Sequence, residues 1–105
     1  MDSIEILNKA IGELAKREHA YGEALEAAAV AEHTYRIKKN REILGASGTD
    51  KVKLAIAEIA CEEEMLIKLT ADAHKEFLKT KCDDARTVIS ARKEIAKIED
   101  YESKR

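Results

Sequence analysis

From Met1 to Leu44 the chain contains no proline, and Ile4, Leu7, Ile11 and Leu14 recur at spacings of three and four, the period of one face of an α-helix. This uninterrupted helical pattern constrains the fold more than any other feature. It predicts a helix over residues 3–44. Asp2 followed by Glu5 has the form of a capping box, and Glu5–Lys9, Glu13–Arg17 and Glu32–Arg36 are i, i+4 pairs oriented as a helix prefers. Gly12 and Gly22 each cost roughly 1 kcal/mol relative to alanine, so a closely packed neighbour is expected at both.

The pattern breaks at Gly45-Ala46-Ser47-Gly48-Thr49-Asp50. The glycines end the first helix over a turn at 45–49, and Ser47, Thr49 or Asp50 is placed to cap the next. Residues 50–60, KVKLAIAEIA after Asp50, are apolar on more than one side and suit a short helix folded into a corner. Glu62, Glu63 and Glu64 then stand together, and three carboxylates sit best in a first turn, facing the positive end of the helix dipole. A kink or restart is therefore expected near Cys61, with a helix continuous from Asp50 as the alternative. Residues 62–103 read as a second long helix whose seam is Leu66, Leu69, Ala73, Phe77, Val88, Ala91, Ile95 and Ile98.

The fold class that follows is all-α: residues 1–105 as one helical domain, a long antiparallel, coiled-coil-like hairpin with a short helix at the turn. Folding back at the turn brings Phe77 opposite Ala27, Ala28, Ala29 and Ala31, and Ile4 and Leu7 opposite Ile95 and Ile98. Composition agrees, because 38% charged and 4% aromatic residues in a chain of 105 leave material for a thin seam and little for a layered core. Apolar groups are nevertheless left over. Met65, Leu66, Ile67 and Leu69 surround one helix, and one partner helix cannot cover every side. An oligomeric helical bundle is expected; a monomer in which the short helix covers the excess is the alternative.

The pattern E-H-x-Y occurs at Glu18-His19-Ala20-Tyr21 and again at Glu32-His33-Thr34-Tyr35, two heptads apart and so on the same face. It reads as a packing repeat with polar pairs across helices, or as a row of side chains offered to a ligand. Glu18 and Glu32 need partners in either case. The strongest local charge is Arg36-Ile37-Lys38-Lys39-Asn40-Arg41. It complements the negative end of the first helix and the Glu62–Glu64 cluster across the turn. Alternatively, Arg36, Lys38, Lys39 and Arg41, with Tyr35 and His33 beside them, form a binding site for the phosphates of a nucleic acid or nucleotide.

Chemistry is otherwise sparse. The residues three before His19, His33 and His74 are Lys16, Val30 and Ala71, so the Glu-x-x-His of di-iron bundles is missing, and no HExxH or glycine-rich phosphate loop occurs. No catalytic residue, metal or cofactor is expected, and the chain reads as no enzyme. Cys61 and Cys82 have no CxxC spacing and read as reduced thiols of a cytosolic protein. Without a signal-like or membrane-spanning apolar run, the expected location is the cytoplasm, with no membrane partner.

The long first helix rich in Ala, Glu and Tyr, the break, TDKVKLAIAEIA, and EEEMLIKLTADAHKEFLKTKCDDARTVISARKEIAKIEDYE together resemble small all-helical early-region proteins of phages and prophages of Gram-positive bacteria. The likeness is one of layout over nearly the whole chain. Cys61 stands where those proteins break at glycine. The resemblance implies a gene set concerned with DNA metabolism and carries over no catalytic residue. The expected function is a non-catalytic interaction protein that binds and modulates a host or phage macromolecule of DNA metabolism or host defence; the alternative is the oligomeric nucleic-acid or nucleotide binder built on the basic cluster.

Overall fold

The computed structural model describes residues 2–104. Three helices occur in order, α1 (Ser3–Gly45), α2 (Asp50–Ala60) and α3 (Glu62–Ser103), and no strand is present among the described residues. The protein is all-helical. No helix among the described residues is long and apolar enough to cross a membrane.

Each boundary has a local cause. At the start of α1, the Asp2 carboxylate accepts from the Glu5 amide at 2.9 Å and the Asp2 carbonyl from the Ile6 amide at 3.0 Å, satisfying amides that the first turn leaves without intrahelical partners. Gly48 follows the end of α1 with φ of 117°, a conformation that side chains other than glycine's rarely adopt, and it turns the chain toward α2. Thr49 caps α2, its hydroxyl accepting from the Val52 amide at 3.3 Å. Both readings of the second half of the chain are partly right. Cys61 leaves helical geometry, with φ −103° and ψ 17°, yet the Cys61 amide donates to Ala57 at 3.0 Å and the Met65 amide to Cys61 at 2.9 Å, so the hydrogen-bond ladder runs through the kink.

The chain forms two compact units, Met1–Gly22 with Glu76–Arg105, and Glu23–Lys75. In the first unit the helices run antiparallel. The Ser3 hydroxyl donates to Glu99, Arg17 to the Lys81 carbonyl at 3.0 Å, and Arg86 to Glu18 at 3.4 Å. Its core is Cys82, Ala85 and Ile89 of α3, against half-buried Leu7, Ala10, Leu14 and Tyr21 of α1. In the second unit Ala24, Ala28, Ala31 and Tyr35 of α1 are buried with Ala57 of α2 and Cys61, and Lys38 reaches Glu64 at 2.7 Å.

The expected α3 seam is corrected. Leu66, Leu69, Phe77, Val88, Ile95 and Ile98 are 41–65% exposed, and Ala73 and Ala91 are exposed as well. The buried stripe is instead Cys82, Ala85 and Ile89 in the first unit, and in the second Cys61 followed by half-buried Met65, Lys68, Asp72 and Lys75. Both stripes follow spacings of three and four, so periodicity alone could not choose between them. In the second unit the alanine surface of α1, Ala24, Ala28 and Ala31, makes the choice. Side chains at a helix contact set the distance between axes, and small residues on one side favour small or slender ones on the other. Phe77, in the first unit, does not bury its ring, and Lys81 Nζ stands 5.3 Å from the ring centroid. Ile4 and Ile11 are also exposed, while Leu7 and Leu14 of the same run are half-buried.

The glycine expectation is corrected too. A Cβ added at Gly12 or Gly22 meets nothing within 4 Å, so no neighbour within the chain packs closely there.

Candidate functional site

The basic cluster divides among three directions. Lys38 Nζ donates to Glu64 Oε1 at 2.7 Å, which ties α1 to the first turn of α3 as charge complementarity suggested. That hydrogen bond, more than the accompanying charge attraction, holds the Glu64 carboxyl below the usual carboxylate range and the Lys38 ammonium above the usual lysine range. Arg36 bonds Glu32 on its own helix at 2.8 Å. Lys39 Nζ lies 5.5 Å from the Tyr35 ring centroid, an attraction of roughly 0.5–1 kcal/mol at exposed sites. Arg41 is exposed and makes no ion pair among the described residues.

Of the six candidate binding residues, the fold brings His33, Lys38 and Arg41 into one shallow depression of about 300 Å³, together with Thr34 and Ile37. Tyr35 is buried, with 7% of its surface exposed, and Arg36 and Lys39 do not line that depression. The two Glu-His-x-Tyr copies share a face but end differently. Glu18 finds Arg86 of α3, Glu32 finds Arg36 of α1, and Tyr21 is only half-buried where Tyr35 is buried. The polar pair crosses between helices in the first copy and stays within α1 in the second.

Sequence reasoning did not single out the larger feature of this unit. An open groove of about 550 Å³ runs between the second half of α1 and the start of α3. Ala27, Val30, Ala31 and Ile67 give it an apolar floor, Thr34 stands at one end, and Glu23, Glu26 and Glu64 edge it. Thr34 also lines the basic depression, so the two are continuous along α1. On the α3 side, Ile67 is shared with a second shallow apolar depression lined by Leu66, Thr70, Ala71 and His74. The signal was present in the sequence: Glu23, Val30, Ile37 and Leu44 recur every seven residues, as do Ala27, Thr34 and Arg41. The runs of alanine and basic residues on either side drew attention elsewhere.

Chemically, the arrangement suits recognition. Large apolar side chains stand on helix faces with charges at their margins, and the depressions are open and shallow. Among the described residues, no group of three or more His, Cys, Asp or Glu side chains is placed to hold a metal ion. Comparison of the chain with protein-family models, curated proteins and solved structures gives no match.

Proposed function

We propose that this chain is a non-catalytic interaction protein of the phage type, acting in the bacterial cytoplasm by laying preformed helix faces on a macromolecule of DNA metabolism or host defence. The observation that carries the reading is the inversion of side-chain size. Alanine and cysteine fill most of the interior, while Val88, Ile95 and Ile98 of one unit and Val30, Leu66 and Ile67 of the other lie 41–65% exposed. Contiguous exposed apolar side chains of this kind, edged by charge, mark interaction surfaces. The short helix does not cover the excess; Val52, Leu54, Ile56 and Ile59 of α2 are themselves 41–72% exposed.

The test is affinity capture from a Gram-positive host lysate with the intact chain and with a Val88→Ser, Ile95→Ser, Ile98→Ser variant. These side chains lie outside the buried stripe, so the variant is expected to keep its helicity and lose a specific co-eluting protein. A chain that retains no specific protein, or a variant that retains the same one, overturns the reading.

The second reading, phosphate binding, has one observation in its favour, the convergence of His33, Lys38 and Arg41 on one depression. It ranks lower because Arg36 and Lys38 already serve Glu32 and Glu64. It predicts binding of single-stranded DNA that weakens steeply with salt and is abolished by Lys38→Glu, Lys39→Glu and Arg41→Glu together. No binding at low salt sinks it.

A further inference from the structure

We infer that the outward face of α2 is the docking surface for a second copy of this chain, the two α2 helices pairing antiparallel across a two-fold axis. The face is defined by what α2 hides. Ala57 is buried, and Lys53 and Ala60, one turn to either side of it, are half-buried, so this stripe is turned toward the rest of the second unit. The opposite side carries Val52, Ala55 and Ile59 at spacings of three and four, and all three are exposed, Ile59 by 72%. A helix of eleven residues thus has one side that the chain itself covers and an apolar side that it leaves open.

Two charges beside the open face identify its companion. Lys51 and Glu58, seven residues apart and so on one flank of that face, are both exposed. Neither has an opposite charge three or four residues away along the helix. Neither makes a hydrogen bond or ion pair with any described residue. Antiparallel helices bring the same flank of each together, so Lys51 of one copy faces Glu58 of the other, and the two-fold axis makes the pair twice. The same register sets Val52 of each copy against Ala55 of the other, and Ile59 over the exposed Gly48 that precedes the cap, a larger group against a smaller one at each level. A parallel pair instead sets Lys51 beside Ile56 of its companion and leaves both charges unanswered. The face is therefore complementary to a copy of itself in one orientation only. This surface is separate from the outward side chains of the first unit, so either can hold without the other.

The experiment uses the purified full chain and three further samples: Lys51→Glu, Glu58→Lys, and the two variants mixed in equal amounts. Each is followed by sedimentation velocity from the micromolar to the millimolar range, which suits a contact at the small end of specific interfaces, with helicity checked by circular dichroism. Both substitutions agree with the helix dipole, an acid entering the first turn of α2 and a base the last, so neither is expected to lower helicity. The unaltered chain is expected to dimerise. Each single reversal puts two like-charged pairs into the symmetric dimer and is expected to weaken association about tenfold. In the mixed dimer the glutamate introduced into one chain meets the lysine introduced into the other, and the retained Glu58 meets the retained Lys51. Mixing is therefore expected to restore association close to that of the unaltered chain. A monomeric parent chain overturns the inference. So does self-association indifferent to the reversals, and so does a mixture that fails to regain what the single variants lost. None of these results bears on capture of a partner through Val88, Ile95 and Ile98.

Discussion

Lys38 and Glu64 form the contact on which the second unit most depends for register, because a 2.7 Å hydrogen bond between two half-buried side chains fixes one point of α1 against the first turn of α3. Glu64 Oε2 is shielded and has no hydrogen-bond partner in the protein, so the carboxylate relies on Lys38. The depressed Glu64 carboxyl contributes stability above its unfolded-state pKa, and that contribution is lost as pH falls through the lower folded-state value. The raised Lys38 ammonium contributes below the ordinary lysine pKa and loses its contribution as pH rises through the raised value. The pair therefore stabilises the fold across the neutral range and fails at both extremes. Lys38→Met is expected to lower the urea midpoint at pH 7, and the difference from the parent chain should shrink as pH falls below the ordinary glutamate pKa and through the lowered folded-state value, where the carboxyl becomes protonated in the folded state as well. Equal destabilisation at pH 7 and pH 3 would show that Lys38 acts through its methylenes and not its charge.

At the scale of elements, α2 depends on its cap. Thr49 satisfies one first-turn amide of an eleven-residue helix with four large apolar side chains left exposed, so little tertiary packing compensates for losing it. Thr49→Ala is expected to cost about 1 kcal/mol, read as a lower urea midpoint with unchanged slope. The long helices behave in the opposite sense at their glycines. With no described neighbour beyond its own helical turn within 4 Å of a Cβ at Gly22, Gly22→Ala is expected to stabilise the fold by about 1 kcal/mol; a loss of stability would mean that a neighbour from another molecule occupies that side. Helix positions were legible in the sequence because their signals are local: a cap at Asp2, a glycine-marked break, carboxylates opening α3. The seam of α3 was not. Leu66, Phe77 and Val88 form as regular a stripe as Cys82, Ala85 and Ile89, and hydrophobicity favours the stripe that faces outward. What decides is the face that α1 presents in each unit, Leu7, Ala10, Leu14 and Tyr21 in the first and Ala24, Ala28 and Ala31 in the second, which no reading of α3 alone contains. The groove along α1 was missed for a related reason, since it exists only where Glu64 and Ile67 of α3 stand beside Ala27, Val30 and Ala31.

For the molecule as a whole, what matters is which side chains lie outside: large aliphatic groups are exposed while alanine and cysteine fill most of the interior. An interior of alanine and cysteine also yields little transfer free energy per residue, because the favourable term scales with apolar area removed from water. A chain with so thin a core and so much apolar surface outside gains stability from whatever covers that surface. Association that occurs only in the folded state must then raise the unfolding temperature as concentration rises. The midpoint is expected to climb steadily over a hundredfold increase in protein concentration, and replacing Val52 and Ile59 by alanine should flatten that dependence with little effect on the midpoint at the lowest concentration, since both lie on the outward side of α2. A midpoint independent of concentration in the parent chain would mean that the exposed aliphatic side chains do not meet one another between copies, and that their companion is a different macromolecule.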